Sequence, residues 1–81
     1  MQHKNDENYV YYLVGKNLKR IRKEKGFTQS KFTEACNYSD GFIMNIEGDK
    51  YYQMFSLGTL WKFAEVLEVN IKDFFEPLDN E

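Results

Sequence analysis

Residues 28–48 read TQSKFTEACNYSDGFIMNIEG, and this stretch decides the fold. Thr28 and Ser39 are residue types that cap helix N-termini, because their hydroxyls accept backbone N–H groups that a first turn leaves without partners. Behind Thr28, the apolar positions Phe32 and Ala35 lie three apart, and behind Ser39, Ile43 and Ile46 repeat that spacing. Such spacing marks one face of a helix. Asn37 and Tyr38 leave only a short turn between the two segments, and Gly48 is a residue type that ends helices. Two short helices so tightly joined cross steeply rather than run side by side.

On the N-terminal side, a longer helix is expected from about Asn8 to Lys25, ending at Gly26. Val10, Val14, Leu18 and Ile21 form its apolar stripe, with Tyr11 close by. Lys16, Lys19, Arg20 and Lys23 project to the opposite side, and Arg22 lies at the border. On the C-terminal side, residues 49–56 read as a loop carrying Tyr51, Tyr52 and Phe55. Ser56 caps a fourth helix whose buried side is Leu57, Leu60, Phe63, Ala64 and Leu67. Asn70 caps a short fifth helix, Ile71–Phe75, and Pro77 prevents its continuation. No segment alternates with the period of a strand. The expectation is an all-α, five-helix single domain over residues 1–81, with residues 1–8 a disordered N-terminus.

Composition agrees with a folded domain and narrows its chemistry. At 42% hydrophobic and 30% charged, the 81-residue chain is not of the disordered class. Its core is small, so seven Phe, six Tyr and one Trp are one way to gather apolar area, and oligomerisation would add more. Cys36 is the only cysteine, which excludes a disulfide within the chain. No apolar run reaches the roughly 18–20 residues that span a bilayer, and no signal peptide opens the chain, so a cytoplasmic location is expected. His3 is the only histidine, and no metal-ligand cluster or glycine-rich phosphate loop is present. An enzyme, a metal, a cofactor and a small-molecule ligand are accordingly not expected.

The net charge of −2 conceals an asymmetry. Residues 1–25 sum to +4 and residues 26–81 to −6. Six basic residues fall between Lys16 and Lys25, whereas no Lys or Arg lies between Phe32 and Asp49. A basic run of this kind is either a solvated helix face or part of a polyanion-binding surface.

Residues 15–75 resemble the lambda-repressor-like, or Xre-type, helix-turn-helix family. The resemblance is carried by GKNLKRIRKEKGFTQ, by TQSKFTEACNYSDGFIMNIEG and by SLGTLWKFAEVLEVNIKDFF. Leu18, Ile21 and Arg22 match the end of the family's first helix, and Gly26, Thr28 and Gln29 match its entry to the second. Ala35 falls on the position where a small residue lets two helices cross, and Glu47 on the acidic position closing the third helix. Leu60, Ala64, Leu67 and Val69 complete the pattern. The resemblance implies double-stranded DNA as partner, with the third helix in a major groove about 12 Å wide.

The same resemblance implies roles for individual residues. Arg22 and Glu47 would form a salt bridge between the first and third helices, with Arg22 also reaching a phosphate. Thr28, Gln29 and Lys50 would be phosphate contacts, Gln29 lying in a first turn whose free N–H groups favour an anion. Asp40, Gly41, Met44 and Asn45 would face bases. Asn45 can pair with adenine, Met44 can meet a thymine methyl, and Asp40 can accept from cytosine N4. Phe74, Phe75 and Leu78 are the candidate homodimer surface, with Tyr51 and Tyr52 beside them, or else ordinary core. The expected function is a sequence-specific transcriptional regulator of repressor type, binding a palindromic operator as a homodimer. The alternative is a protein-interaction module that keeps the fold but has weakened DNA binding, which Asp40, Gly41 and the acidic C-terminal two-thirds favour.

Overall fold

A computed structural model describes residues 6–50 and 52–78. His3, Tyr51 and the first five of the eight residues expected to be disordered lie outside them. The described chain forms four α-helices, α1 (Tyr9–Glu24), α2 (Gln29–Cys36), α3 (Asp40–Glu47) and α4 (Leu57–Leu67), followed by a 3-10 helix, Ile71–Phe75. No strand occurs among the described residues. α1 packs against both α3 and the 3-10 helix, while α2 packs against α3 and α4.

The caps act where the residue types place them. Thr28 Oγ1 accepts the Lys31 amide at 3.1 Å, Ser39 Oγ the Phe42 amide at 3.2 Å, and Ser56 Oγ the Thr59 amide at 3.0 Å. α1 ends with Gly26 at φ +84° and α2 with Asn37 at φ +64°, left-handed conformations open to those two residue types. α1 itself is preceded by a turn in which Asp6 accepts the amides of Asn8 and Tyr9.

The core gathers around Phe63, which is fully buried with Phe32 and Phe74. Its ring lies 5.5 Å from Phe32, 6.0 Å from Tyr38 and 6.4 Å from Phe55. Val14, Leu18, Ile21, Cys36, Ile43, Ile46, Leu60 and Leu67 surround this cluster. Burial pushes the Cys36 thiol up to about 11, so it is protonated and inert at neutral pH.

Several helix faces are set differently from their sequence pattern. Tyr9 rather than Val10 is buried at the start of α1. Ala35 is exposed, and the small residues that α2 buries are Thr33 and Cys36; the Thr33 hydroxyl is satisfied by the Gln29 carbonyl at 2.8 Å. Leu57 points outward and is 76% exposed. In each case the expected residue neighbours the buried one or lies at a helix end. Adjacent helical residues differ by about 100° around the axis, so the packing partner decides which of two border positions turns in.

The fifth segment is a 3-10 helix rather than an α-helix. The six residues between Asn70 and Pro77 are too few to close many i→i−4 bonds, whereas three-residue closure begins at once. The Asp73 amide bonds the Asn70 carbonyl at 3.0 Å, and the Asn70 amide returns to Asp73 Oδ2 at 3.2 Å. Asn17 ties this segment down. It is 2% exposed, and its side-chain amide donates to the carbonyls of Leu13, Phe74 and Glu76 at 3.1, 2.9 and 2.9 Å. A buried amide must find such partners, and these acceptors come from both ends of the chain.

Candidate nucleic-acid interface

The helix-turn-helix is held from behind by one buried carboxylate. Glu47, the last residue of α3, is 3% exposed. The Arg22 guanidinium meets it in a fork, Nε to Oε2 at 2.8 Å and Nη2 to Oε1 at 2.9 Å. Oε1 also accepts the Gln29 side-chain amide at 3.0 Å. Arg22 Nη1 donates to the Phe27 carbonyl at 2.7 Å, fixing the link between α1 and α2. One side chain of α3 therefore joins three elements through charge-assisted bonds, the geometry that suits arginine and not lysine. Arg22 is 5% exposed, so its expected phosphate contact is corrected to this internal role. Its donors are drawn inward by Glu47 and Phe27.

Gly15 fixes the distance at which α1 approaches α3. A Cβ there would lie 2.0 Å from the Ile46 carbonyl oxygen, so only glycine allows the two backbones to meet. Next to it, Lys16 Nζ donates to the Glu47 carbonyl at 3.0 Å, pairs with the Asp49 carboxylate and stands 5.2 Å from the Tyr12 ring centroid. Lys16 was expected on the solvated side of α1 and is instead a contact to the end of α3. The Asp49 carboxyl is held below its ordinary value of 3.8 by the hydrogen bond and charge of Lys16. The pairing is thus complete above that value and is lost as pH falls through the depressed one.

The opposite side of α3 faces outward. Asp40, Gly41 and Met44 are exposed and Asn45 is half-buried, so the four share one surface. Gly41 has open space around it, with nothing within 4 Å of an added Cβ. Asn45 Nδ2 reaches Gln53 Oε1 at 3.5 Å, and Gln53 Nε2 donates to the Met54 carbonyl at 3.0 Å, so the loop after α3 lies alongside it. Thr28, Lys31 and Lys50 are exposed, and Gln29 is half-buried. Phe42 packs on Tyr38, ring centroids 5.2 Å apart. Tyr52 lies 6.1 Å from Tyr12 and Phe55 5.0 Å from Tyr11, so these loop aromatics cover α1.

The three candidate dimer residues separate. Phe74 is fully buried and is corrected to core, its neighbour Phe75 being the exposed member of the pair. Phe75 lines an apolar groove with Val10, Tyr11, Leu57 and Leu60. Leu78 lines a different groove, beside Lys16, Asn17 and Arg20.

Of the three residues central to this geometry, Gly15 and Asn17 have no role in the sequence pattern, and Lys16 reads there only as part of a solvated basic face. They sit in one run, and a glycine within an otherwise strong helical pattern was the available signal.

Residues 17–80 match the Cro/C1-type HTH DNA-binding domain. Over 58 residues, 72% of this chain and 39% of the relative, the sequence is 38% identical to the immunity repressor protein of Bacillus phage phi105. Over 67 residues, 83% of this chain and 84% of the relative, it is 30% identical to an uncharacterized HTH-type transcriptional regulator, y4dJ, of Sinorhizobium fredii. The match spans about two-fifths of the phage protein's length. No solved structure is significantly similar to the chain. The chain belongs to the Cro/C1-type helix-turn-helix DNA-binding family.

Among the described residues no helix is long and apolar enough to cross a membrane, and no group of three acidic, cysteine or histidine side chains could hold a metal ion.

Proposed function

We propose that the chain is a sequence-specific transcriptional regulator that sets α3 in the major groove of a palindromic operator as a homodimer. The observation that supports this reading most directly is the contrast between the two sides of α3. One side is locked by Arg22, Gln29, Gly15 and Lys16, while the other presents Asp40, Gly41, Met44 and Asn45. Rigid support behind and exposed side chains in front are what base reading requires. Thr28, Gln29 and Lys50 are the proposed phosphate contacts, and a cytoplasmic location follows from the DNA partner.

Gly41 provides a discriminating test. A helix-interior glycine costs about 1 kcal/mol relative to alanine, and no contact within the chain demands it. Gly41→Ala should therefore raise stability by about 0.5–1 kcal/mol in urea unfolding, yet weaken binding to a duplex enriched by the wild type from a randomised pool. Asn45→Ala should weaken binding about 10–100-fold and relax the preference at one base pair, as loss of a bidentate contact does. The logarithm of affinity should fall linearly with the logarithm of salt concentration. Failure of the wild type to enrich any sequence over random duplex sinks the reading and favours the protein-interaction module.

The dimer is supported by the exposed apolar side chains Phe75 (39%), Val10 (38%) and Leu57 (76%), which share one groove. Sedimentation of wild type and of Leu57→Asp is expected to show a dimer lost in the variant, with the monomer's helical content intact. A wild type that stays monomeric both alone and on its selected duplex would overturn this part.

A further inference from the structure

The side chain of Lys16 is 20% exposed, although lysines keep their ammonium in water unless partners hold it. Here the partners are the Glu47 carbonyl, the Asp49 carboxylate and the Tyr12 ring. The Glu47 carbonyl is one of the acceptors that a helix leaves without partners at its C-terminal end, where partial negative charge collects. Gly48, which follows, is extended at φ −84° and ψ 178°, so no left-handed turn closes α3 as Asn37 closes α2. An ammonium delivered from α1 supplies that closure. It can be delivered because Gly15 lets the two helices touch one residue earlier.

The second partner extends the consequence to the surface. Asp49 is 79% exposed and lies between α3 and Lys50, a proposed phosphate contact. A bare carboxylate there would add negative charge to a segment that carries no cation between Phe32 and Asp49, and would repel phosphates within a Debye length of about 8–10 Å.

We propose that Lys16 is a positioning residue for the reading helix, capping the C-terminal end of α3 from α1 and neutralising Asp49 where the chain leaves that helix. The effect on DNA rests on the regulator reading, whereas the cap is a property of the free chain. Lys16 differs from a phosphate-contacting lysine in a measurable way. A direct contact releases counterions and steepens the salt dependence, and its loss is indifferent to Asp49. A lysine acting through Asp49 is rescued by removing that charge.

The test compares wild type, Lys16→Met, Asp49→Asn and the double variant, with methionine retaining the apolar stem beside Tyr12. Each is titrated by fluorescence anisotropy with the duplex enriched by the wild type, and each is followed by amide hydrogen exchange without DNA. Lys16→Met is expected to weaken binding about fivefold, the scale of one unscreened charge near a phosphate, and to speed exchange in the last turn of α3. Asp49→Asn alone should change binding less than about twofold. In the Lys16→Met background it should recover the part of the lost affinity that is due to charge, leaving the part due to the missing cap, while exchange stays fast.

Equal effects of Asp49→Asn in both backgrounds would overturn the inference. So would a fall of about one unit in salt slope on Lys16→Met that Asp49→Asn leaves uncorrected. If the wild type enriches no duplex, the regulator reading fails on its own, and the cap is decided by exchange and by NMR titration of the Asp49 carboxyl. That titration should centre below 3.8 in the wild type, the ordinary value, and rise in Lys16→Met. A wild-type midpoint at or above 3.8 would refute the pairing even if Lys16→Met does not fold.

Discussion

Arg22→Met is expected to lower folding stability by about 3–5 kcal/mol, because it leaves the Glu47 carboxylate buried without its counter-charge. The whole domain holds on the order of 4–12 kcal/mol at its length. At about 4–8 °C per kcal/mol for a domain of this size, the thermal midpoint falls by tens of degrees. Glu47→Ala should be similarly harmful, since it strands a guanidinium that is 5% exposed. The paired replacement Arg22→Met/Glu47→Leu should recover much of the stability, as apolar substitutes for buried ion pairs often do. It should not recover DNA binding, because Gln29 loses the carboxylate that orients its amide. Urea unfolding followed by far-ultraviolet circular dichroism measures the first effect, and duplex titration the second. A single Arg22→Met variant within about 1 kcal/mol of wild type would show that the fork is not worth what a buried pair is worth.

Gly15→Ala should be destabilising by about 3 kcal/mol, the upper part of the overpacking range, although glycine to alanine inside a helix ordinarily gains about 1 kcal/mol. The reversal has a specific cause. The added Cβ would meet the Ile46 carbonyl oxygen at 2.0 Å, a backbone atom that no rotamer change can move. α1 and α3 must part, and with them the Lys16 cap on Glu47. Gly41→Ala is the internal control, the same substitution in α3 with open space around it and the opposite expected sign. Equal signs for the two in urea unfolding would mean that helix propensity outweighs the α1–α3 contact.

The caps Thr28 and Ser39 and the spacing of Phe32, Ile43 and Ile46 made the crossing helices legible, because caps and 3.6-residue stripes are local properties. The family resemblance supplied Arg22–Glu47 as a pair, and the structure joins those two residues at 2.8 and 2.9 Å. It also supplied a phosphate role for Arg22, which burial removes. Lys16 and Asn17 were not legible. Both are polar residues on a helix rich in charge, and their partners lie 31 and 57 residues away in the chain. Phe74 and Phe75 show the same limit, since adjacent identical side chains carry no signal as to which one turns in.

For the segment Thr28–Gly48, the sequence by itself determined two short capped helices and the turn between them. Hydroxyl caps, the left-handed Asn37 and apolar periodicity act within a few residues of one another. Only the tertiary structure decided what that segment rests on and what it shows. The approach of α1 at Gly15, the capping ammonium of Lys16 and the burial of Glu47 under Arg22 and Gln29 are contacts between elements far apart in the chain. The outward face of Asp40, Gly41, Met44 and Asn45 is what remains once those contacts have set the rotation of α3. Helical period constrains that rotation only to within a residue or so, and packing settles the rest.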